Sequence, residues 1–294
     1  MNRKQILKRA GIILLIIVAS LLVGALLLGV INGLVADGEW SFGWTDYRYD
    51  DTAYQSGEGT VPAPSVTTLD VDWITGTVEI LPCEDAYLSV SEAQKGELAE
   101  KLKLRWSISE DGKTVFVKYR ASSWFFGDGN DKKLTLRVPQ KLFGQLESLK
   151  INTKNASVYI GEVEIPSVAV QTKGGNLVVE GCIAQDVTVA TEGGSCSFEG
   201  NATEGFTFAS RGGSLEWKGR ELPGSLAIST QSGNVSLSLS KDASFSLNWE
   251  TEGGGLVSDF ALTQADDGSY ITGDGKATLT ISTKKGDLSI TCQN

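Results

Sequence analysis

The 294 residues contain no histidine, one methionine, six prolines and four cysteines. Without histidine there is no Ser-His-Asp or Cys-His nucleophile and no imidazole ligand for a metal. The cysteines (Cys83, Cys182, Cys196 and Cys292) form no CxxC pair, so a thiolate zinc site has no basis. Cys196 falls on an inward repeat position, and a bridge to Cys182 stays open as an alternative. No P-loop, dinucleotide-binding or HExxH pattern occurs, and the glycine-rich turns lead from strand to strand, whereas phosphate-cradling loops lead into helices. No cofactor and no metal is expected. A basic patch is missing too. Net charge is −10, and Arg3, Lys4, Lys8 and Arg9 are the only charges in the first 36 residues, which leaves about −14 for the rest. That balance argues against nucleic acid as a partner and for repulsion from anionic headgroups.

What the chain does have is repetition. LKINTKNASVYI, VAVQTKGGNLVV, VTVATEGGSCSF, FTFASRGGSLEW, LAISTQSGNVSL and FSLNWETEGGGLVS align on a hydroxyl residue at Thr153, Thr172, Thr191, Ser210, Thr230 and Thr251, in steps of 19, 19, 19, 20 and 21. TLTISTKKGDLSI adds Thr283 after a 32-residue step that holds an insertion, 261–276. LDVDWITGTVEI is a degenerate copy with Trp73 at the same place. A fixed period in this range predicts a solenoid. Each copy reads strand, turn, strand, with period-2 alternation marking half-buried strands. The paired glycines (Gly174-Gly175, Gly193-Gly194, Gly212-Gly213) are expected to supply positive φ. The expected fold is all-β: a β-solenoid of ~19-residue two-strand coils stacked in chain order. The hydroxyls would form one column at the turn, and Lys173, Glu192 and Arg211 would stand beside one another.

Four further regions are expected around the repeats. Residues 1–10 form a cytoplasmic tail. Residues 11–36, GIILLIIVASLLVGALLLGVINGLVA, hold no charge and are long enough to cross a bilayer as one transmembrane helix. Cations before it and Asp37 and Glu39 after it read as an uncleaved signal anchor with the C-terminal part outside the cell. Residues 37–65 read as a linker in which Trp40, Phe42 and Trp44 would sit at the membrane interface. The remainder, 66–294, is one extracytoplasmic domain with an inserted antiparallel meander or cap over 85–140, where Asp111-Gly112 marks a hairpin. Within that insert, Trp124, Phe125 and Phe126 lie in a loop, as a contact tip or a plug folded onto the cap. Asp128, Asn130 and Asp131 have neither the spacing nor the number of ligands of a calcium loop.

The turns TKNASVYI (Thr153 to Ile160), TKGGNLVV (Thr172 to Val179) and TQSGNVSL (Thr230 to Leu237), with LTLRVP leading into them, resemble the bacterial putative-adhesin (toast-rack) family of cell-envelope β-solenoid domains. The likeness runs from Val66 to Cys292. It implies an envelope role, often tied to stress-response loci, and carries over no catalytic residue. The expected function is therefore that of a non-catalytic envelope binding protein on a single-pass anchor. Its partner would be a glycan, an envelope protein or a second copy of itself. The alternative is a carbohydrate-active β-helical enzyme working with carboxylates, which needs acids on neighbouring coils of one face. Outward positions of the paired strands from Lys150 to Asn248 show only Lys150 and Glu216 charged, which disfavours that alternative.

Overall fold

The computed structural model describes residues 49–62, 65–120 and 132–293. Among them are twenty-two strands and two short 3-10 helices. Residues 11–36, with Trp40, Phe42 and Trp44, lie outside the described residues, as does the loop bearing Trp124, Phe125 and Phe126. No described helix is long and apolar enough to cross a membrane.

Alternation decides which side chains go inward. In Ser167–Thr172, Val168, Val170 and Thr172 are buried while the residues between them are not. One such strand cannot cover its own apolar side, so coils stack in parallel with equivalent residues in register. Val168 lies between Leu149 and Val187, and Val170 between Ile151 and Val189. The strand after each turn builds a second column, in which Val179 lies between Ile160 and Phe198. A slip of one residue would turn every buried side chain outward, which pins the register. The core widens where Phe198, Phe206 and Trp217 meet, with ring centroids 4.9–6.4 Å apart.

The anchoring residues do form one column: Trp73, Thr153, Thr172, Thr191, Ser210, Thr230, Thr283 and Thr251 are successive register partners. The hydroxyls cap their own turns. Thr172, Thr191, Ser210 and Thr230 each accept the backbone N–H three residues on, at 2.7–3.0 Å. A second ladder runs beside them and does join coils. Asn176 accepts from the Ser195 N–H, Ser195 from Ser214, Ser214 from Asn234, Asn234 from Asp287 and Asp287 from Gly255, at 2.7–3.2 Å.

Three expectations need correction. First, the paired glycines do not adopt positive φ. The second of each pair is needed because a Cβ there would lie 1.8–1.9 Å from a carbonyl oxygen of the preceding coil: Gly175 against Ala156, Gly194 against Gly175, Gly213 against Gly194 and Gly233 against Gly213. Second, the coils do not stack in chain order at either end. The last coil, Ala277–Thr283 with Leu288–Cys292, slots between Ser225–Thr230 with Val235–Leu239 and Phe245–Thr251 with Leu256–Ser258. At the other end the first coil, Thr68–Trp73 with Thr77–Cys83, is held between Thr114–Lys118 with Lys133–Pro139 and Ser148–Thr153 with Ser157–Ile160. Third, the middle coils are not two-sided. The strands Leu177–Thr191 and Cys196–Ser210 run on through a short third side, where Cys182, Ile183 and Ala184 face Gly200, Asn201 and Ala202. Gly181, with φ of +73°, turns the chain into that side.

The cap is antiparallel, as its turn signals predict. Arg105–Ile108 pairs with Thr114–Lys118, and Leu88–Ala93 with Lys133–Pro139. Beyond them, Gln55–Ser56 and Gly59–Val61 form the outermost layer. Part of the expected linker is therefore sheet, and residues 55–61 lie at one extreme end of the rod, the proximal end. Eleven strands stack along the first column, a length of about 50 Å. At the distal end, Tyr270–Thr272 covers only Phe245–Leu247 of the last coil.

Close approach at the corner, rather than dihedral freedom, predicts unequal outcomes for neighbouring glycines. Gly213→Ala should cost about 2–4 kcal/mol, while Gly212→Ala, whose Cβ meets nothing nearer than 3.8 Å, should stay within about 0.5 kcal/mol of wild type. Denaturant unfolding of the two variants compares them directly.

Candidate functional site

Charge is gathered at the proximal end. On the outer surface of the first column, Asp72 pairs with Lys118 at 3.0 Å, and Asp51 reaches both Arg105 (3.2 Å) and Arg120 (3.3 Å). Tyr49 closes this cluster. Its hydroxyl donates to the Tyr119 carbonyl at 3.1 Å, and Lys118 and Arg120 lie over its ring. Burial raises the phenol's pKa. Asp70, one position from Asp72 on the same surface, is pushed up to about 6 by burial and then by the Asp72 charge, against the pull of Lys150 and Lys118.

Behind the surface lies a buried ion pair. Lys132 is only 1% exposed, and its Nζ meets Glu92 Oε1 at 2.9 Å. The same ammonium donates to the Arg120 carbonyl at 2.9 Å and to the Leu102 carbonyl, and sits 4.5 Å from the Tyr119 ring centre. Glu92 accepts the Leu104 N–H through its other oxygen at 2.8 Å. Burial lowers the lysine's pKa, and the Glu92 carboxylate opposes the shift. Arg120 and Lys132 are the described residues flanking 121–131, and one ammonium ties both of them to the cap.

Away from this end the two long sides differ. On the strands from Ser167 to Thr230 and on Ala277–Thr283 the outward positions of the first column are Ser, Thr, Ala, Gly and Gln, apart from Asp186, and Phe245–Thr251 adds Asn248 and Glu250. The second column carries Glu79, Glu180, Glu199, Glu216 and Lys218, with Lys218 3.7 Å from Glu199. The strands run past the expected bounds, so Asp186, Glu180, Glu199 and Lys218 join Lys150 and Glu216 as outward charges. The expected charge deficit therefore holds for one side of the rod, not for both.

The model of the Toastrack DUF4097 family matches residues 66–291. The chain belongs to that family. No curated protein matches it. Among solved structures, it is similar to a putative cell adhesion protein from Clostridium sporogenes (9% identity, 82% of this chain and 100% of the other, TM-score 0.41). It is also similar to a putative adhesin from Bacteroides fragilis (15%, 80% and 96%, TM-score 0.48). A putative lipid binding protein from Parabacteroides distasonis resembles it as well (13%, 81% and 97%, TM-score 0.42).

In this toastrack domain the third side opens into a cleft of about 490 Å³ between Gly219–Gly224 and Ser240–Ser244. Trp217 forms its floor, and its buried indole N–H has no partner. Arg220, Glu221, Asp242 and Lys276 stand around it. Glu221 and Asp242 are the acids of this cleft, and each stands among cations, Arg220 and Lys276. Among the described residues, no group of three or more acids or cysteines is placed to hold a metal ion. Cys182 and Cys196 are both buried and unbridged, on different sides of the coil, with thiols pushed up to about 12 by burial. They serve as small core residues.

The contact residues expected from sequence, Trp124, Phe125, Phe126, Trp40, Phe42 and Trp44, lie outside the described residues. What the structure adds is the root of the first group. Neither the Lys132–Glu92 pair nor the cleft was anticipated. A signal for the pair was present: Lys132 shares the parity of Leu134, Leu136 and Val138, and Glu92 that of Leu88 and Val90.

Lys132→Met should cost about 3–5 kcal/mol, because it strands a buried carboxylate and two carbonyls, and adding Glu92→Leu should recover much of that loss in denaturant unfolding. Asp70 predicts a pH effect of definite sign. Its folded pKa lies above the unfolded 3.8, so its contribution is complete below about pH 4 and is lost as pH rises through 6. Asp70→Asn should therefore raise stability by about 1–2 kcal/mol at pH 8 and leave it nearly unchanged at pH 4, as thermal melts at the two pH values would read.

Proposed function

We propose that this toastrack protein is a non-catalytic rod, held to the outer side of a cell membrane by residues 11–36, that presents binding surfaces at a fixed distance from the bilayer. The observation that carries the reading is where the chain joins the rod. Residues 55–61 are the outermost proximal layer, and only 37–48 separate the first described residue from the apolar stretch. A tether joined near the proximal end, where Tyr49 rests on Lys118, Tyr119 and Arg120, leaves the coils from Ser167 onward clear and carries the distal end about 50 Å outward. Family membership supports an envelope role of this kind, and the first side of the middle coils, where Asp186 is the one outward charge from Ser167 to Thr230, supplies a surface suited to adhesion.

The loop of Trp124, Phe125 and Phe126 belongs to the same reading. Arg120, the described residue that precedes 121–131, lies beside Tyr49, the first described residue after the apolar stretch. We assign the loop to contact with the bilayer surface or with a protein partner lying at that level; the interfacial preference of Trp and Phe favours such a place.

The test has two arms. A C-terminal alkaline phosphatase fusion of the full chain should be active, stay with membranes through a carbonate wash, and become soluble when 1–36 are removed. An inactive fusion, or one released by carbonate, would overturn the topology. Crosslinking of intact cells should then recover fewer envelope partners from Trp124→Ala/Phe125→Ala/Phe126→Ala than from wild type; equal recovery would remove the loop from the account.

A further inference from the structure

The two ends of the rod are finished differently. Proximally, two antiparallel layers and the chain's own first segment cover the last parallel coil. Distally, Tyr270–Thr272 pairs with Phe245–Leu247, and no described strand pairs with the outer edge of Asn248–Thr251 or of Leu256–Ser258. The backbone ladder shows which groups are left over. In each coil the residue opening the second strand donates its N–H to the next coil outward: Leu177 to Ser195, Cys196 to Ser214, Leu215 to Asn234, Val235 to Asp287 and Leu288 to Gly255, all at 2.9 Å. Leu256 holds that position in the last coil, and no coil follows for it to donate to. The core is only partly covered there, by Phe260, Leu262 and Tyr270. Ile281 and Leu288 are 1% and 0% exposed, whereas their register partners Trp249 and Leu256 are only half-buried. An edge of this kind is a template for an added strand.

Charge says which strand fits. From Phe245 to Lys276 six acids stand against the single cation Lys276. Glu250 lies on the last strand itself and Glu252 in the turn beside it, where Lys284 of the adjacent coil stands 4.0 Å away with both side chains largely exposed. Two copies meeting edge to edge would bring these acids together, so the charge opposes self-association. We infer that the distal edge captures an extended basic segment of another protein. That segment would pair its backbone with Leu256–Ser258, lay an apolar side chain over Leu256, and set Lys or Arg toward the acids of the neighbouring corner, Glu250 and Glu252. This site is at the opposite end from the tether, and it stands or falls independently of membrane anchoring.

The test uses the full chain in detergent micelles and three labelled ten-residue peptides: alternating Lys and Val, alternating Glu and Val, and the Lys/Val peptide with proline at alternate Val positions. The Lys/Val peptide should bind at least tenfold more tightly than the other two by fluorescence anisotropy. Its binding should slow amide exchange at Leu256, and Glu250→Lys/Glu252→Lys should weaken it at least tenfold with an unchanged unfolding midpoint. Equal binding of the proline peptide would mean charge alone and would overturn strand addition. So would protection confined to other coils, an unaltered affinity in the charge-reversed variant, or concentration-dependent dimers that compete with the peptide and assign the edge to a second copy.

Discussion

From the coil of Thr172 onward, each coil must bring its backbone within one strand spacing of the next at the corner where the chain reverses, and no side chain fits in that gap. This constraint makes the third residue after the anchoring hydroxyl a glycine in coil after coil. Gly175, Gly194, Gly213, Gly233, Gly286 and Gly254 each face a carbonyl at a separation that a Cβ would close to 1.8–2.0 Å. The anchoring hydroxyl follows from the same geometry. A turn drawn that tight leaves an N–H at its inner edge, buried with the core, and the Thr or Ser oxygen three residues earlier is the acceptor that satisfies it. Glycine and hydroxyl therefore form one device: the first permits the approach, and the second removes the polar cost of making it.

That device also governs how much of the fold is legible in the sequence. Hydroxyl, glycine and alternation recur at one spacing, so the column from Thr153 to Thr230 and its register could be read directly. The order of the last coils could not. Every coil offers the same edges, so the corner of Gly286 accepts Gly233 and Gly254 equally well, and local chemistry does not rank a neighbour. Connection length does. The 32-residue step to Thr283 is long enough to pass around one coil and return between two, and the hairpin built from 261–276 occupies the detour. Lys132 was missed for a different reason. Two consecutive lysines next to a polar loop look like solvated surface, and only the shared parity of Glu92 and Lys132 with their apolar neighbours points inward.

The interlocked ends have a consequence for how the rod comes apart. In a stack built in chain order, each end coil has one free face and can peel away at the cost of a single interface, which is how solenoids fray. Here the coils next to the chain's two ends are each enclosed on both sides, by Thr114–Lys118 and Ser148–Thr153 at one end and by Ser225–Thr230 and Phe245–Thr251 at the other. Pulling on the proximal segment loads the antiparallel cap before any parallel coil, and Lys132 holds that cap through Glu92 and two carbonyls drawn from separate segments. A buried charge pair is a poor source of net stability but a strong specifier of arrangement, since each partner is costly without the other.

Such an end would matter for a protein tethered there. A rod meeting a surface by one end transmits load along its axis, where hydrogen bonds between coils lie nearly parallel to the pull. The side chains that bridge coils at the corner, from Asn176 to Asp287, add bonds in the same direction. At the far end the ladder stops with Leu256 and an incompletely closed core, in contrast to the double layer at the near end. A fold able to finish one end so thoroughly has no steric reason to leave the other half-finished. Exposed edges are hazardous unless something occupies them, and the excess of acids around this one both discourages pairing between copies and selects a partner of opposite charge.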